Sequence, residues 1–406
     1  MLTEDVWRPL SVQINSLFKK LDTVSDVRLK DIAVWNLNGI FTGLNSVFIL
    51  KKEIVDKYQI EPEIAKPLLV GEDVRKWKIK WSGNYILYTK DIDLEKQKNT
   101  YRYLKEHQEK LSKRVSIKGT GIKWYELSRP RDSHAFECKK IVTPRIATGN
   151  NFALDEDGEF YCGDTTYVIV PNDSVDIFYL LGLLNSKVLD FYLKQVSPFF
   201  MDRYFVYNAS YTERFPIKLP KTLEERKKSE QIIQSVDQIL RLNKQLKSIE
   251  QRIKLFPNSY FNHDWNFDKL INVVKAQALS YSAYTISEKS LRTDYKQRDL
   301  DGSETFRIIL VDSEFIDFYS EEVASYVFEI LKNMSRITKR ELLELQIPQQ
   351  PHLKNLLNQY RKDKEQIVKD EKAVEEIEKK IDDLVYELYD TIYKERKIIE
   401  DYLKKF

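Results

Sequence analysis

Side chains that could contact phosphates or base edges are concentrated between Lys118 and Arg203. Arginine and asparagine can form paired hydrogen bonds with guanine and adenine, and the candidates of these types are Arg129, Arg131, Asn150, Asn151 and Arg203. The residues placed to neutralise phosphates are Lys118, Lys123, Lys139, Lys140 and Arg145. A solvated or buried structural role is the competing interpretation for each of them. Together they predict a surface that binds nucleic acid.

A basic segment precedes this cluster and extends it. Its spacing predicts one helix over Thr100–Arg114, which leads into the glycine-containing turn Lys118–Gly121. Basic helices are often merely solvated, but here the positive run continues into the cluster. The formal net charge of the 406-residue chain is only +3, so any phosphate-binding surface must be a local patch. We therefore expect affinity without sequence information from this part of the surface.

Familiar catalytic and metal-binding motifs are not found in the sequence. The GxSxG, HExxH and Walker patterns are missing, and Gly39 and Gly43 fit a tight turn better than a phosphate loop. Cys138 and Cys162 lack the spacing of a zinc site. The four histidines lack metal-ligand spacing: His107, His134, His263 and His352. We therefore expect no metal and no cofactor in this chain.

Two enzymatic interpretations need specific residues. Asp132, Glu137 and Lys139 could imitate a nuclease centre, but the two acidic residues are too close in sequence for the usual hairpin between metal ligands. Adenine-N6 methylation by an Asn/Asp-Pro-Pro-aromatic loop requires a Pro-Pro pair, and the sequence contains none. We therefore expect the chain to catalyse neither reaction alone.

The elements that must position the candidate residues lie in the stretch Trp124–Pro220. Apolar runs predict strands over Lys139–Ile146 and Tyr167–Pro171, with Asp155–Gly158 forming a hairpin turn. A wide apolar face then predicts a core helix over Ile177–Gln195. The fold class expected from this pattern is α+β, with a mixed sheet.

Long helices follow this stretch. Apolar residues recur every three or four positions over 232–256 and again over 353–388, which is the pattern of coiled-coil seams. We expect the two helices to pair antiparallel with each other, and homodimerisation through either seam is the alternative. A strand over 305–311 and a helix over 320–333 predict a small α+β insert between them.

The predicted organisation has five parts. They are an N-terminal linker helix (1–30), a DNA target-recognition domain (31–220), a coiled-coil helix (221–256), the insert (257–349) and a C-terminal coiled-coil helix (350–406). Two isolated cysteines and the lack of an apolar run of about 18 residues favour a cytoplasmic protein.

Several short motifs carry a resemblance to a known family. They are Asn38–Asn45 (NGIFTGLN), Ala65–Val74 (AKPLLVGEDV), Trp124–Arg131 (WYELSRPR), Lys140–Ile146 (KIVTPRI), Leu181–Lys187 (LGLLNSK), Phe215–Ile217 (FPI) and Ile381–Tyr389 (IDDLVYELY). In this order and spacing they resemble the TaqI-like C-terminal specificity domain, which occurs in type IIG restriction–modification enzymes and related adenine-N6 DNA methyltransferases.

The resemblance implies that the chain recognises double-stranded DNA and directs a methyltransferase or endonuclease to its site. In that family the specificity region follows a catalytic domain, so we expect this sequence to begin where such a domain would end. The expected partner is an adenine-specific methyltransferase domain or subunit, which would bind S-adenosylmethionine. The alternative is a coiled-coil interaction scaffold that no longer binds DNA.

Overall fold

The computed structural model describes residues 12–201, 203–261, 264–287, 289–298, 304–311 and 314–406. Its helices are α1 (Val12–Val24), α2 (Leu29–Ile32), α3 (Asn45–Phe48), α4 (Lys52–Tyr58), α5 (Lys98–Glu106), α6 (Gln108–Ser112), α7 (Ile177–Leu184), α8 (Lys187–Val196), α9 (Ala209–Thr212), α10 (Leu223–Lys254), α11 (Leu270–Val273), α12 (Glu321–Lys332), α13 (Lys339–Leu343), α14 (His352–Leu388) and α15 (Tyr393–Leu403).

The strands in the first 261 residues are β1 (Val27–Arg28), β2 (Ala33–Asn38), β3 (Ile49–Lys51), β4 (Ala65–Leu69), β5 (Val74–Arg75), β6 (Lys78–Ile79), β7 (Asn84–Leu87), β8 (Lys140–Pro144), β9 (Ile146–Ala147), β10 (Ala153–Asp155), β11 (Tyr161–Cys162), β12 (Thr166–Pro171), β13 (Phe199–Phe200), β14 (Tyr204–Val206) and β15 (Pro216–Ile217). Those that follow are β16 (Phe267–Lys269), β17 (Val274–Ala278), β18 (Ala283–Thr285), β19 (Arg292–Arg298), β20 (Glu304–Val311), β21 (Glu314–Phe318), β22 (Arg336–Thr338) and β23 (Gln346–Pro348).

The chain divides into two compact units. The first contains residues 1–243 and 374–406, and the second contains residues 244–373. The long helices α10 and α14 therefore contribute residues to both units. The five predicted domain boundaries stay predictions. Of the predicted N-terminal linker helix, the residues before Val12 lie outside the described part of the chain.

Two four-stranded sheets form the centre of the first unit. One has the order β10-β8-β12-β2, and all its neighbouring strands are antiparallel. The other has the order β11-β4-β7-β3, in which β11 is parallel to β4 and the remaining pairs are antiparallel. The α+β class with a mixed sheet is therefore confirmed.

The strands β8 and β12 lie in the interior of the first unit. Ile141 and Ile169 face the core that contains α7 and α8, whereas Val142 and Val168 face the core that contains the second sheet. Alternate side chains of a strand point to opposite faces, so burial of both faces requires apolar residues in succession. This explains the continuous apolar runs in the sequence. Because β8 is buried along its whole length, the chain can reach the surface only beyond its two ends.

The predicted single helix over Ile177–Gln195 is two helices, α7 and α8. Between them, Asn185 accepts a hydrogen bond from the Phe152 backbone amide (3.0 Å) and donates one to the Phe152 carbonyl (2.9 Å). The Ser186 hydroxyl then caps the first turn of α8. Asn185 thus ties the break to Phe152, Ser186 supplies an acceptor for the first turn of α8, and an apolar periodicity reveals neither contact.

The predicted basic helix over Thr100–Arg114 is also interrupted, because α5 ends before His107 and α6 ends at Ser112. Arg114 is buried, and its guanidinium donates hydrogen bonds to the carbonyls of Thr42 (2.8 Å) and Trp124 (2.9 Å). Burial lowers the pKa of this guanidinium. Arg114 therefore organises two loops internally instead of facing phosphates.

The turn Asp155–Gly158 does not close a hairpin. The strand before it, β10, pairs with β8, whereas the strand after it, β11, pairs with β4 in the other sheet. Gly158 has φ +67°, and a Cβ there would lie 2.7 Å from the backbone nitrogen of Cys138. The turn therefore carries the chain from one sheet to the other, which local turn residues cannot distinguish from a hairpin.

The second unit is built on an antiparallel sheet with the order β17-β21-β20-β19. The helix α12 packs on it through Tyr326 and Val327, in a core shared with Ile308 and Ile316. The strand and helix predicted over 305–311 and 320–333 are confirmed by β20 and α12.

Within the second unit the two long helices run antiparallel, as predicted. Arg252 of α10 pairs with Asp363 of α14 (2.7 Å). Just past the end of α10, Phe256 packs against Tyr360, with ring centroids 4.3 Å apart. Both contacts join the C-terminal end of α10 to the N-terminal half of α14, as an antiparallel arrangement requires. Within the first unit, Lys228 of α10 reaches Glu387 of α14 (3.1 Å), and Ile232 packs against Gly182 of α7.

Candidate nucleic-acid interface

A cleft of about 880 Å³ opens in the first unit where β8 and β12 meet the loops of the second sheet. It is lined by Asn45, Ile49, Val70, Gly71, Glu72, Arg75, Pro144, Arg145, Ile146, Ala147, Thr148, Asn151, Gly163, Asp164, Thr165 and Tyr204. Two of these, Arg145 and Asn151, belong to the residues predicted from the sequence. The cleft therefore provides a concave surface on which part of the predicted set converges.

Arg145 follows β8, and its backbone is fixed on both sides. Its amide donates to the Thr165 carbonyl (2.8 Å), and its carbonyl accepts from the Tyr207 amide (2.8 Å). Its side chain is exposed and, within the described residues, makes no hydrogen bond or ion pair. A rigid backbone thus holds a cation that is available to a ligand.

Arg131 lies at the same end of the sheet but is tied to the protein. Its Nε donates to the Asn38 carbonyl (3.1 Å), and its terminal nitrogen donates to the Asn38 side-chain oxygen. Burial raises the pKa of the nearby Tyr167 hydroxyl, and the charges of Arg145 and Arg131 oppose this rise. Both positive charges therefore act on the same phenol.

Arg129 lies beside Phe41, which follows the end of β2. Its backbone forms a β-bridge with Phe41, and its guanidinium lies 5.9 Å from the centre of the Phe41 ring. The side chain is exposed and forms no hydrogen bond or ion pair within the described ranges. Arg129 therefore presents a second available cation.

The two adjacent asparagines have different environments. Asn150 is buried, donates to the Leu184 carbonyl (2.6 Å) and accepts from the Tyr207 hydroxyl (3.0 Å). Asn151 lines the cleft, and its side-chain oxygen accepts from the Lys76 backbone amide (3.1 Å). Asn150 therefore uses its side chain for contacts inside the protein, whereas Asn151 can offer its amide nitrogen to a ligand.

Lys139 and Lys140 lie at the opposite end of β8 from Arg145. Lys140 is completely buried, and its ammonium group bonds the Asp155 carboxylate and the Phe136 carbonyl. Lys139 lies 3.9 Å from Glu156 and 4.4 Å from the centre of the Phe178 ring. The structure therefore does not bring these two lysines to the cleft, and it gives Lys140 an internal role.

Lys118 and Lys123 lie on the loop that Arg114 organises. Lys118 is exposed and makes no side-chain hydrogen bond or ion pair within the described part of the chain, whereas Lys123 lies 3.8 Å from Glu126. The loop is held against the Thr42–Gly43 turn, where the Ser116 and Ser128 hydroxyls bond to each other (2.6 Å). Gly43 has φ +78°, which confirms a turn at this position.

Arg203 is exposed on the short β-ribbon formed by β13 and β14. This ribbon extends the sheet of β9, because Phe205 pairs with Ala147 and Val206 pairs with Ile146. Tyr204, the residue after Arg203, lines the cleft. The ribbon therefore brings Arg203 to the same region as Arg145, although 58 positions of sequence separate them.

The three residues considered as a nuclease centre have separate partners. Asp132 contacts His134 (2.7 Å), Glu137 accepts from the Tyr161 hydroxyl (2.5 Å), and Lys139 lies near Glu156. Within the described ranges, no group of three or more His, Cys, Asp or Glu side chains is placed to hold a metal ion. None of the described helices is long and apolar enough to span a membrane.

The sequence was also compared with known proteins. The family model of the TaqI-like C-terminal specificity domain matches residues 66–217. These residues are therefore similar to a TaqI-like specificity domain. The match contains the cleft residues from Val70 to Tyr204, whereas the Asn38–Asn45 and Ile381–Tyr389 motifs lie outside it.

Curated relatives of the chain are type II methyltransferases. M.BstVI of Geobacillus stearothermophilus is 26% identical over 57% of this chain and 42% of its own length. M.BanIII of Aneurinibacillus aneurinilyticus is 28% identical over 38% of this chain and 29% of its own length. M.MjaIV of Methanocaldococcus jannaschii is 24% identical over 62% of this chain and 86% of its own length. The match thus spans less than half of the first two relatives.

Solved structures with some likeness include the type IIL restriction–modification enzyme MmeI in complex with DNA and the type I S subunit from M. genitalium. MmeI is 14% identical, with a TM-score of 0.42, over 55% of this chain and 28% of MmeI. The S subunit is 11% identical, with a TM-score of 0.33, over 93% of this chain and 94% of its own. These TM-scores are too low to support an inference.

The motifs of the TaqI-like specificity domain and its flanking segments meet in the structure. The Lys187 amide of the LGLLNSK motif donates to Asp382 of the C-terminal motif (2.9 Å), and the Tyr389 hydroxyl donates to the Pro216 carbonyl (2.5 Å). A Cβ on Gly39 would lie 2.1 Å from the Gly163 carbonyl oxygen, so this glycine allows two backbones to approach closely. These motif residues therefore hold the fold, while others line the cleft.

Sequence reasoning missed Arg75 and Tyr204, which both line the cleft. Arg75 directly follows the AKPLLVGEDV motif, so its position beside a family motif was the available signal. Tyr204 offered no comparable signal, because an aromatic residue in a β-rich segment usually fills a core. Its exposure becomes visible only from the pairing of β13 with β14.

Proposed function

We propose that the chain recognises a specific sequence in double-stranded DNA and directs a partner of a restriction–modification system to it. The partner would be an adenine-N6 DNA methyltransferase domain or subunit, which binds S-adenosylmethionine, or an endonuclease associated with it. The specificity-domain match and the type II methyltransferase relatives support this proposal. The adenine preference comes from the family resemblance.

The observation that carries the proposal is a difference among the predicted cations. Lys118, Arg129, Arg145 and Arg203 are exposed, and their side chains form no hydrogen bond or ion pair within the described residues. A cation without an internal partner can neutralise a phosphate without first breaking a native interaction. Since Arg145 lies in the cleft and Arg203 lies beside it, we place the DNA along this side of the first unit.

Base reading is assigned to the cleft. Arginine can bond the O6 and N7 atoms of guanine, and asparagine can bond the N6 and N7 atoms of adenine. Arg145, Arg75 and Asn151 have these side-chain types, and all three line the cleft. The sequence predicts a phosphate contact for Arg145, but its position in a concave surface on a fixed backbone favours contact with a base. Lys118 and Arg129 would contact phosphates.

The proposal is tested by incubating the purified chain with a randomised duplex pool and sequencing the retained DNA at two salt concentrations. We expect an enriched sequence and an affinity that falls as the salt concentration rises. A variant with Lys118, Arg129, Arg145 and Arg203 all changed to alanine should lose this binding. The matched control changes four exposed lysines elsewhere in the first unit, namely Lys19, Lys227, Lys394 and Lys397, to alanine.

The outcomes separate the competing functions. Equal loss of binding in both variants would show that net charge alone drives the association. Salt-sensitive binding without enrichment would mean that sequence specificity requires the methyltransferase partner. Failure of the unmodified chain to bind any DNA would overturn the proposal and favour the coiled-coil scaffold.

A further inference from the structure

The ribbon of β13 and β14 has two faces with different surroundings. Phe199 and Phe205 are directly opposed in the register, and their rings lie 4.8 Å apart. Both rings pack against Phe406, with centroids at 5.5 and 5.2 Å. Phe205 is completely buried whereas Phe199 is 45% exposed, so Phe205 and its contact with Phe406 anchor this face of the ribbon to the first unit.

The outer face carries the next pair, Phe200 and Tyr204, which are also directly opposed. Opposed residues of an antiparallel pair project to the same side, so these two rings form one aromatic patch. Phe200 is 41% exposed and Tyr204 is 43% exposed. Met201, which follows Phe200 in a left-handed conformation (φ +49°), is 76% exposed. We call Phe200, Met201 and Tyr204 the ribbon patch.

Such a patch is unusual for a surface strand. The solvent face of an antiparallel ribbon normally carries polar residues, and a cluster of exposed apolar side chains marks an interaction site. The ribbon patch adjoins two available cations, because Arg203 precedes Tyr204 and Tyr204 lines the cleft together with Arg145. Its apolar surface is thus bordered by Arg203 and Arg145, which can attract phosphate, while Glu72 and Asp164 line the same cleft.

We propose that the ribbon patch enters the major groove and reads a thymine through its C5-methyl group. This inference rests on the proposed DNA recognition and names the base contact made at one edge of that interface. A two-stranded ribbon fits the width of the major groove, and the thymine methyl is the apolar group that the groove presents. Phe200 and Tyr204 supply the apolar surface, while Arg203 contacts the adjoining backbone.

Duplex DNA is favoured over a protein surface as the occupant because of the charges around the patch. Arg203 and Arg145 are exposed cations without an ionic partner among the described residues, and they flank the patch near the cleft. Lysine and arginine contacts set the register of a protein on the sugar–phosphate backbone, which would hold the apolar side chains against the bases. The ribbon itself is fixed by Phe205 and its contact with Phe406, so its outer face is presented with little freedom.

The test replaces each thymine of the enriched duplex by deoxyuridine, one position at a time. This substitution removes only the methyl group and leaves base pairing and charge unchanged. For the unmodified chain we expect affinity to fall about fourfold at one or two positions, as one buried methyl-sized group contributes about 0.8 kcal/mol. In Phe200→Ala and Tyr204→Ala the thymine and deoxyuridine duplexes should bind equally at those positions, which is a double-mutant cycle between protein and DNA.

Tyr393→Ala is the control, because Tyr393 is 83% exposed on α15 of the same unit and lies outside the ribbon. It should retain the full discrimination between thymine and deoxyuridine.

Equal discrimination by the ribbon variants and the unmodified chain would overturn the inference while leaving DNA recognition intact. An enriched sequence without any methyl-sensitive thymine would do the same. If the ribbon variants bind DNA normally but lose association with a methyltransferase, the patch is a protein-docking surface and the inference is wrong. Absence of DNA binding by the unmodified chain would overturn both proposals.

Discussion

The strand β8 has basic residues at both ends, and the two ends are built differently. At its start, Lys140 is completely buried and pairs with Asp155, and Lys139 lies near Glu156. Immediately after its end, Arg145 is exposed and has no ionic partner within the described residues. The same strand therefore begins with cations used internally and ends with one that is available to a ligand.

The difference follows from strand register. Asp155 of β10 is the residue directly opposite Lys140 of β8, so a carboxylate meets the ammonium group inside the protein. At the other end, Pro144 is opposite Thr166, and the chain after Pro144 emerges at the cleft. A basic residue therefore becomes structural or available according to which residue its neighbouring strand places beside it.

The largest expected effect is at the buried end. Lys140→Met leaves the Asp155 carboxylate buried without its cation, and breaking a buried ion pair in this way typically costs about 3–5 kcal/mol. We expect the free energy of unfolding, measured by urea denaturation, to fall by about this amount. Affinity of the folded fraction for DNA should stay nearly unchanged.

The double variant Lys140→Met/Asp155→Asn provides the control. It removes the unpaired charge and keeps one amide oxygen, which can accept from one of the two backbone amides, Glu159 or Phe160, that now bond to the separate oxygens of Asp155. We expect it to recover at least part of the lost stability. A stable Lys140→Met variant that had lost DNA affinity would show that the buried end contacts the ligand, and the comparison would fail.

The next effect concerns the exposed end. Arg145→Ala should cost about 1–3 kcal/mol in binding at a single base position, with relaxed specificity there, while the free energy of unfolding changes little. Competition binding with duplexes substituted at each position of the enriched sequence measures this. A uniform loss on every duplex would instead assign Arg145 to a phosphate.

Arg131→Ala sharpens the same comparison. The Arg131 guanidinium is bonded to the carbonyl and side chain of Asn38, so its removal should lower stability, because hydrogen bonds to charged groups contribute about 1.5–3 kcal/mol. Thermal unfolding of the two variants should therefore separate Arg131 from Arg145. If Arg131→Ala were as stable as the unmodified chain and lost discrimination at one base, the bond to Asn38 would not define its role.

Much of the fold could be predicted from the sequence, because its main signals are local. Apolar periodicity located β12, β20, α12 and the two long helices. It failed at two positions where contacts between distant residues decide the course of the chain. Asn185 ends α7 through its bonds to Phe152, and the turn at Gly158 leads into a different sheet. Such contacts join residues that are distant in sequence, so no local pattern contains them.

The candidate site was predictable only in outline. Residue type indicated Arg145 and Asn151, which line the cleft, but also Lys140 and Asn150, which are buried. The two asparagines are of the same type, and Arg145 and Lys140 carry the same charge. Only burial and hydrogen-bond partners distinguish the residues that line the cleft from the buried ones. Tyr204 was missed because its exposure depends on which face of a two-stranded ribbon it occupies. Charge thus located the region, and register decided which side chains are available.

The smallest expected effect separates the exposed Lys118 from the half-buried Lys139 by their partners. Lys118 has no ionic partner within the described residues, whereas Lys139 has Glu156 and the Phe178 ring nearby. If Lys118 contacts a phosphate, Lys118→Ala should weaken binding to all duplexes alike and reduce the slope of log affinity against log salt by about 1. Lys139→Ala removes the same charge at the opposite end of β8 and should leave that slope unchanged. Equal slopes for the two variants would mean that the lack of an ionic partner does not decide which lysine contacts DNA, since a general loss of positive charge would then explain both results.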